Sequence, residues 1–280
     1  MTWQVLIAIG VLTFSVSVIL RRVLLKNSKF DSFAYAAVFQ GFTGLFLAVI
    51  AFSQGFVLPD LSQYWAWMLG AVMLYASGAI VSAYVLKLVE ASIFSLLFAT
   101  SAIWTMLAQF ILFQTTVTSV QLCGALLLVA SIGVLVERRH FKKNKGILLG
   151  ILMGMIYGFA NVAWAYVAKS SDVASWNALS FLVPALLIMA ARPRSIPAMG
   201  VLLKGRLLWQ MLLIGAVFAA SSLSTLYAFS YGNVSIVSVL LQVNIIVTMI
   251  LGIVFLGEKD QLPRKIVAAI LCLGAILLIV

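Results

Sequence analysis

Ten apolar runs, each about 17 to 23 residues long, take up nearly the whole of this chain, and that is the length a helix needs to cross a bilayer. They fall near 3–20, 34–53, 64–86, 91–113, 117–136, 146–168, 175–191, 207–230, 234–256 and 264–280, and are numbered spans 1 to 10 in chain order. Hydrocarbon offers no partner for a backbone N–H or C=O, so each run must satisfy its own groups as an α-helix. A barrel would need short alternating strands, a pattern this sequence lacks. With 64% apolar and 9% charged residues and a mean hydropathy of +1.18, the 280 residues carry more apolar surface than one soluble core could bury. The expected fold class is an all-α integral membrane protein with ten transmembrane helices. Span 1 has no basic region before it and is followed by Arg21 and Arg22, so it reads as a retained span rather than a secretory signal.

A net charge of +11 would suggest nucleic acid in a soluble protein, but here the charge is sorted by side. The loops after spans 1, 3, 5, 7 and 9 hold 17 of the 18 basic residues, and Lys169 alone lies on the other side. The positive-inside rule then places the odd-numbered loops in the cytoplasm and both chain ends outside. No nucleic-acid partner is expected.

Tyr84 to Met106 and Tyr227 to Met249 run in register at an offset of 143 residues, pairing Tyr84/Tyr227, Ser92/Ser235, Ile93/Ile236, Ser95/Ser238, Thr105/Thr248 and Met106/Met249. The basic linker Glu137 to Lys145 separates two halves of five spans, 1–139 and 145–280, whose first two spans have drifted apart. A unit with an odd number of crossings ends on the side opposite its start, so its copy must enter upside down. Two inverted five-helix repeats are expected, an arrangement typical of transporters.

Gly146, Gly150, Gly154 and Gly158 recur every four residues on span 6, a stripe along which another helix can approach closely. Pro184 lies inside span 7, where its ring can kink the helix. The short turns Leu88-Val89-Glu90 and Tyr231-Gly232-Asn233 imply antiparallel hairpins.

The acidic residues Asp31, Asp60, Glu90, Glu137, Asp172, Glu258 and Asp260 all fall in loops or at span ends. An ion or proton pathway usually shows itself as an ionisable group inside the membrane, so an exchanger built on a mid-membrane carboxylate is disfavoured. Cys123 and Cys272 are isolated on distant spans and His140 sits in a basic loop, so neither a metal site nor a cofactor is expected. An enzyme acting on lipid or peptide would need His, Asp or Ser constellations near the interface, and the one histidine stands alone.

Neutral polar and aromatic residues occupy the middle depths instead. Tyr157, Asn161 and Trp164 follow i, i+4, i+7 spacing on one face of span 6. An amide near mid-bilayer, such as Asn161, Gln242 or Asn244, needs a neighbouring helix, a solute or cavity water as partner. The candidate solute-binding residues are Tyr75, Ser101, Trp104, Tyr157, Asn161, Trp164, Tyr227, Gln242 and Asn244. Packing within the bundle accounts at least as well for any one of the hydroxyl and aromatic residues, whereas for Asn161, Gln242 and Asn244 the balance shifts toward the pathway.

Leu256-Gly257-Glu258 at the end of span 9, then Leu262 and the small-residue run Ala268 to Leu278, together with the duplicated five-span unit, resemble the EamA-like branch of the drug/metabolite transporter superfamily. The resemblance covers the whole chain in two copies. Family members often carry a proline in the middle of spans 4 and 9, whereas Leu97 to Trp104 and Leu240 to Val247 have none, and Gln114-Thr115 stands where the first Gly-Glu pair would fall. The resemblance implies a carrier for small polar organic solutes, amino acids and related metabolites among them, in a bacterial inner membrane. A lipid-intermediate flippase or a drug efflux pump of the same superfamily is the alternative. The expected device is alternating access, with spans 3, 4 and 6 facing spans 1, 8 and 9, in a monomer or weak homodimer.

Overall fold

The computed structural model describes residues 2–26, 28–114, 116, 118–135, 145–231 and 240–279. Within them the chain forms the α-helices α1 (Trp3–Leu25), α2 (Ser32–Ser53), α3 (Leu61–Leu88), α4 (Ala91–Ala99), α5 (Ser101–Phe113), α6 (Ser119–Leu135), α7 (Lys145–Ala168), α8 (Val173–Ala191), α9 (Ile196–Leu202), α10 (Gly205–Tyr231), α11 (Asn244–Leu256) and α12 (Leu262–Ile279). Helices α4 and α5 together fill span 4, α9 is a short helix in the loop after span 7, and α11 covers the second part of span 9, whose residues 234–239 lie outside the described residues; each of the other helices fills one span. The expected all-α membrane architecture of ten crossings is present. His140, the basic linker, Ser235, Ile236, Ser238 and the Tyr231-Gly232-Asn233 turn lie wholly or partly outside the described residues.

Several acidic residues of the loops act where chains enter helices. Asp31 accepts from the N–H groups of Phe33 and Ala34, Asp60 from that of Ser62, and Asp172 from that of Ser175, capping α2, α3 and α8. Pro184 is carried inside α8, which remains one helix from Val173 to Ala191. Large apolar side chains such as Val49, Leu126, Trp209 and Phe255 are about 70% exposed, the outward apolar surface that a bilayer covers.

The packing partners give the symmetry of the bundle. The most extensive contacts join α2 with α8, α6 with α12, α3 with α7, and α1 with α10. Exchanging each span of the first half for its counterpart in the second leaves the first two pairs unchanged and swaps the last two. A pseudo-two-fold relation between two five-span units requires this.

Side-chain contacts sort the two ends. At one end Asp31 meets Arg192 at 3.5 Å, Arg22 meets Glu258 at 3.6 Å, Lys265 pairs with Glu90, and Lys87 donates to the carbonyl of Phe30. All of these lie in or beside odd-numbered loops. At the other end Tyr64 donates to Ser170 (2.9 Å), Ser175 accepts from the Val57 N–H (3.0 Å), and Tyr227 donates to Gln54 (2.9 Å). Consecutive spans therefore alternate in direction, and the two five-span repeats are inverted with respect to each other.

Candidate functional site

Spans 4 and 9 are both interrupted near their middle, at matching positions. Helix α4 stops at Ala99 and α5 begins at Ser101; after residues 242 and 243, α11 begins at Asn244, which is Ser101 shifted by 143 residues. The backbone at Thr100 (φ −59°, ψ −20°) is repeated at Val243 (φ −57°, ψ −18°). The local hydrogen bonds repeat as well. Thr100 N–H donates to Leu97 at 3.2 Å and Val243 N–H to Leu240 at 3.1 Å; the Thr100 carbonyl accepts from Ile103 and Trp104, and the Val243 carbonyl from Ile246 and Val247. Tightened i→i−3 bonds of this kind mark a local change of pitch in a helix. The break is retained although neither stretch contains a proline.

The glycine stripe of α7 explains how span 4 is held. A Cβ on Gly154 would come within 1.9 Å of Thr100 Oγ1, and one on Gly158 within 2.4 Å of Trp104 Cβ and 2.8 Å of the Ser101 carbonyl. The break in span 4 is thus pressed directly onto the bare backbone of α7, and Thr105 donates to the Gly158 carbonyl across the same contact (3.2 Å).

Six aromatic rings form a closed circuit through six helices of both repeats. Phe14 of α1 contacts Phe98 of α4 (centroids 5.6 Å apart), which contacts Tyr157 of α7 (5.3 Å), then Tyr75 of α3 (5.9 Å), Phe181 of α8 (6.3 Å), Phe218 of α10 (5.8 Å) and Phe14 again (6.2 Å). Most of these residues stand at the midpoint of their helix, so the circuit lies at the middle of the bilayer. Phe14 and Tyr157 are related by the offset of 143 residues, and so are Tyr75 and Phe218. The Tyr75–Tyr157 contact and the Phe218–Phe14 contact are therefore one contact made twice, with hydroxyls in one copy and without them in the other. On the hydroxyl side Tyr75 donates to Asn161 Oδ1 at 3.0 Å, and Gln40 donates to the Tyr75 carbonyl at 3.4 Å.

Of the nine candidate residues, the structure brings Tyr75, Tyr157 and Asn161 together on this circuit. Ser101 and Trp104 stand next to it, where α5 packs on Gly158. Trp164 turns instead to a cluster with Tyr64, Trp67 and Trp176 between α3, α7 and α8, and its carbonyl accepts from Trp176 Nε1 at 3.2 Å. Tyr227 lies at the end of the bundle with Gln54, stacked on Tyr231. Asn244 donates to the carbonyl of Leu241 at 2.7 Å, while its own carbonyl accepts from Ser15 of α1. Gln242 is half-buried beside the break in span 9.

Arg21 was missed. The sequence places it in a loop after span 1, but α1 continues to Leu25 and carries Arg21 and Arg22 into the bundle, with relative exposures of 4% and 6%. Arg21 lies over the ring of Phe39 at 4.4 Å and near that of Phe94 at 5.9 Å, and donates to Ser82 Oγ at 2.7 Å. Phe39 in turn touches Phe218 and Phe94 touches Phe98, so the guanidinium sits immediately beside the aromatic circuit on the side of the odd-numbered loops. The signal was available in the repeat: the 143-residue offset that relates Tyr75 to Phe218 on spans 3 and 8 also relates Phe14 to Tyr157 on the drifted spans 1 and 6, where it pairs Arg21 with Trp164.

The odd-loop end is closed by ionic contacts that cross between the halves. Arg22 and Glu90 come from the first repeat, Glu258 and Lys265 from the second. Glu258 also accepts from the Ala91 N–H (3.0 and 3.1 Å), capping α4, and Lys265 donates to the Glu258 carbonyl at 3.2 Å. The Gly257 backbone (φ +66°) makes the turn that delivers this carboxylate, and the Glu258 N–H returns to Gly252 at 3.1 Å. Burial holds the Glu258 carboxyl above the ordinary carboxylate range, opposed by the Ala91 N–H and the Arg22 charge. A pocket of about 290 Å³ opens beside these contacts, lined in part by Glu90, Ile93, Leu97, Asp260 and Lys265.

The family model described as the EamA-like transporter family matches this chain twice, over residues 1–137 and 144–280. A protein of known crystal structure aligns over 97% of this chain and 96% of its own with a TM-score of 0.63 at 16% sequence identity, a likeness of fold. Among curated proteins none matches the chain in sequence.

Proposed function

Because the chain belongs to the EamA-like transporter family, we propose that it is a secondary carrier that moves a small polar organic metabolite, an amino acid or related compound, out across the bacterial inner membrane. The two halves, residues 1–139 and 145–280, are its moving units. Both termini face the periplasm on this reading, since the odd-numbered loops hold the basic residues. The observation that carries it is the aromatic circuit at mid-membrane, drawn from both repeats and flanked by a helix break in each. Matching turns of tightened pitch at corresponding positions of inverted repeats lie at the depth where carriers hold their solutes.

Tyr75, Tyr157 and Asn161 supply the hydrogen-bonding side of the site and Phe14, Phe98 and Phe218 its apolar side. Ser101 and Trp104 line the approach along span 4. Trp164, Tyr227, Gln242 and Asn244 act as outer and gating contacts in the course of the cycle. Exchange of conformation between the halves then moves the opening from one side to the other. With no carboxylate at mid-membrane, transport runs down the solute's own gradient, in a single chain.

Counterflow in proteoliposomes loaded with candidate metabolites tests the reading. Saturable exchange of one polar metabolite, lost in a Tyr75→Phe/Tyr157→Phe/Asn161→Leu variant that still folds, is expected. Absence of exchange for every metabolite class would overturn it, and strict dependence of flux on a pH gradient would overturn the uncoupled mode.

A further inference from the structure

Resting on the carrier reading above, we propose that Arg21 receives a carboxylate of the transported solute, so that the protein carries organic anions whose apolar or aromatic body lies against the ring circuit.

A guanidinium stays charged at any physiological pH, so burying one inside a membrane protein demands compensation. The neighbouring residue shows what compensation looks like. Arg22 has Glu258 at 3.6 Å and donates to the Leu86 carbonyl, whereas among the described residues no carboxylate lies within ion-pair distance of Arg21. What Arg21 has is the Ser82 hydroxyl, the adjacent Tyr35 hydroxyl and the faces of two phenylalanines, all neutral groups, which leaves its charge without a counter-ion and its five N–H donors only partly matched. Its Nε, like that of Arg22, is buried without a hydrogen-bond partner, but Arg22 has a carboxylate beside it and Arg21 has none among the described residues. Two more buried hydroxyls stand near it with no acceptor for their own protons: that of Tyr35, which faces the Arg21 guanidinium, and that of Ser17, one turn back on α1. Three unsatisfied donors, one of them cationic, stand beside a mid-membrane aromatic wall. Planar carboxylate oxygens match that donor set, since they accept from a guanidinium edge and still have lone pairs for hydroxyls.

The second half supports this assignment by contrast. The symmetry-related position holds Trp164, which is packed into an aromatic cluster. A cation at this depth is therefore no requirement of the repeat's packing, and it stands on one side of the pathway alone. The solute would bind with a fixed polarity, its charged group toward the odd-numbered loops and its body toward Phe14 and Phe218.

The test uses the full-length protein purified in nanodiscs and a panel of aromatic and aliphatic carboxylates, 3-phenylpropionate among them, each paired with its neutral amide. Thermal shift and calorimetric titration should show that at least one carboxylate binds about 10- to 100-fold more tightly than its amide, the weight of a charge-assisted hydrogen-bonded pair. The preference should disappear in Arg21→Gln and survive, weakened, in Arg21→Lys. Because the carboxylate and amide comparison is made within the native protein, a folding defect of either variant leaves it decisive. If no carboxylate outbinds its amide, or if Arg21→Gln keeps the preference, the assignment is overturned. Counterflow separates the two readings: a neutral metabolite exchanged equally well by native protein and Arg21→Gln leaves the carrier standing and removes the anion site, whereas no exchange of any metabolite removes the carrier.

Discussion

A single methyl group separates two kinds of glycine here. At Gly158 a Cβ would meet Trp104 Cβ at 2.4 Å and backbone on either side of it, so neither helix can yield cheaply, whereas at Gly133 it would meet nothing within 4 Å. Gly158→Ala should therefore destabilise the purified protein by about 1–3 kcal/mol, the usual cost of overpacking, and Gly133→Ala should leave its melting temperature unchanged or slightly raised. A second prediction concerns Glu258. Its carboxyl is held above the ordinary glutamate value of about 4.5 chiefly by burial, so its protonated form favours the folded state. That contribution is present in full below about pH 4.5 and is lost as pH rises through the raised folded value. Melting temperature should fall over that interval in the native protein, with a flatter profile in Glu258→Gln. At this scale the sequence indicated that Asn161, an amide at mid-span, needs a partner, which Tyr75 supplies. It was misleading about Arg21 and Arg22, because hydropathy ends span 1 at the first charge while the backbone has no reason to stop there: nothing in Leu20 to Leu25 breaks a helix.

Helix breaks are legible in sequence when a proline or glycine marks them, and spans 4 and 9 offer neither at Thr100 or Val243. Tertiary packing supplies what local chemistry does not. Thr100 donates its hydroxyl to the Leu97 carbonyl at 2.7 Å, and the bare backbone of α7 admits the altered turn at Gly154. The repeat could have disclosed the matching break, but only as a correspondence between Ser101 and Asn244 whose meaning appears once one of them is seen to start a helix. If the breaks serve as hinges, replacing both Thr100 and Val243 by alanine, the best helix former, should slow counterflow by about tenfold while leaving the fold intact. Unchanged flux with unchanged stability would show that the breaks are passive. The ten-span count, by contrast, followed directly from run length, since hydrocarbon leaves the backbone no alternative to a helix.

At the level of the whole molecule, inversion of the repeats was legible because five is an odd number of crossings, and the exchange of α3·α7 with α1·α10 bears it out. The asymmetry between the ends was not. Arg22, Glu90, Glu258 and Lys265 join the halves at the odd-loop end, and at offset positions the other half has Ala165 for Arg22 and Leu122 for Lys265. Two halves with one packing but unequal locks should favour one of two exchanged conformations, here the one closed at the charged end. Glu90→Gln and Lys265→Met should show a coupling of about 0.5–3 kcal/mol in a double-mutant cycle on thermal stability, as expected of contacting residues. The account as a whole predicts that the two ends move in opposition. In protein lacking Cys123 and Cys272, spin labels at Lys26 and Lys259 report on the charged end and labels at Gln54 and Lys169 on the other, each pair reaching from one half to the other. Electron–electron resonance distances should show that saturating solute lengthens one pair while shortening the other. Two distances that stay fixed, or that lengthen together, would contradict alternating access between the inverted halves.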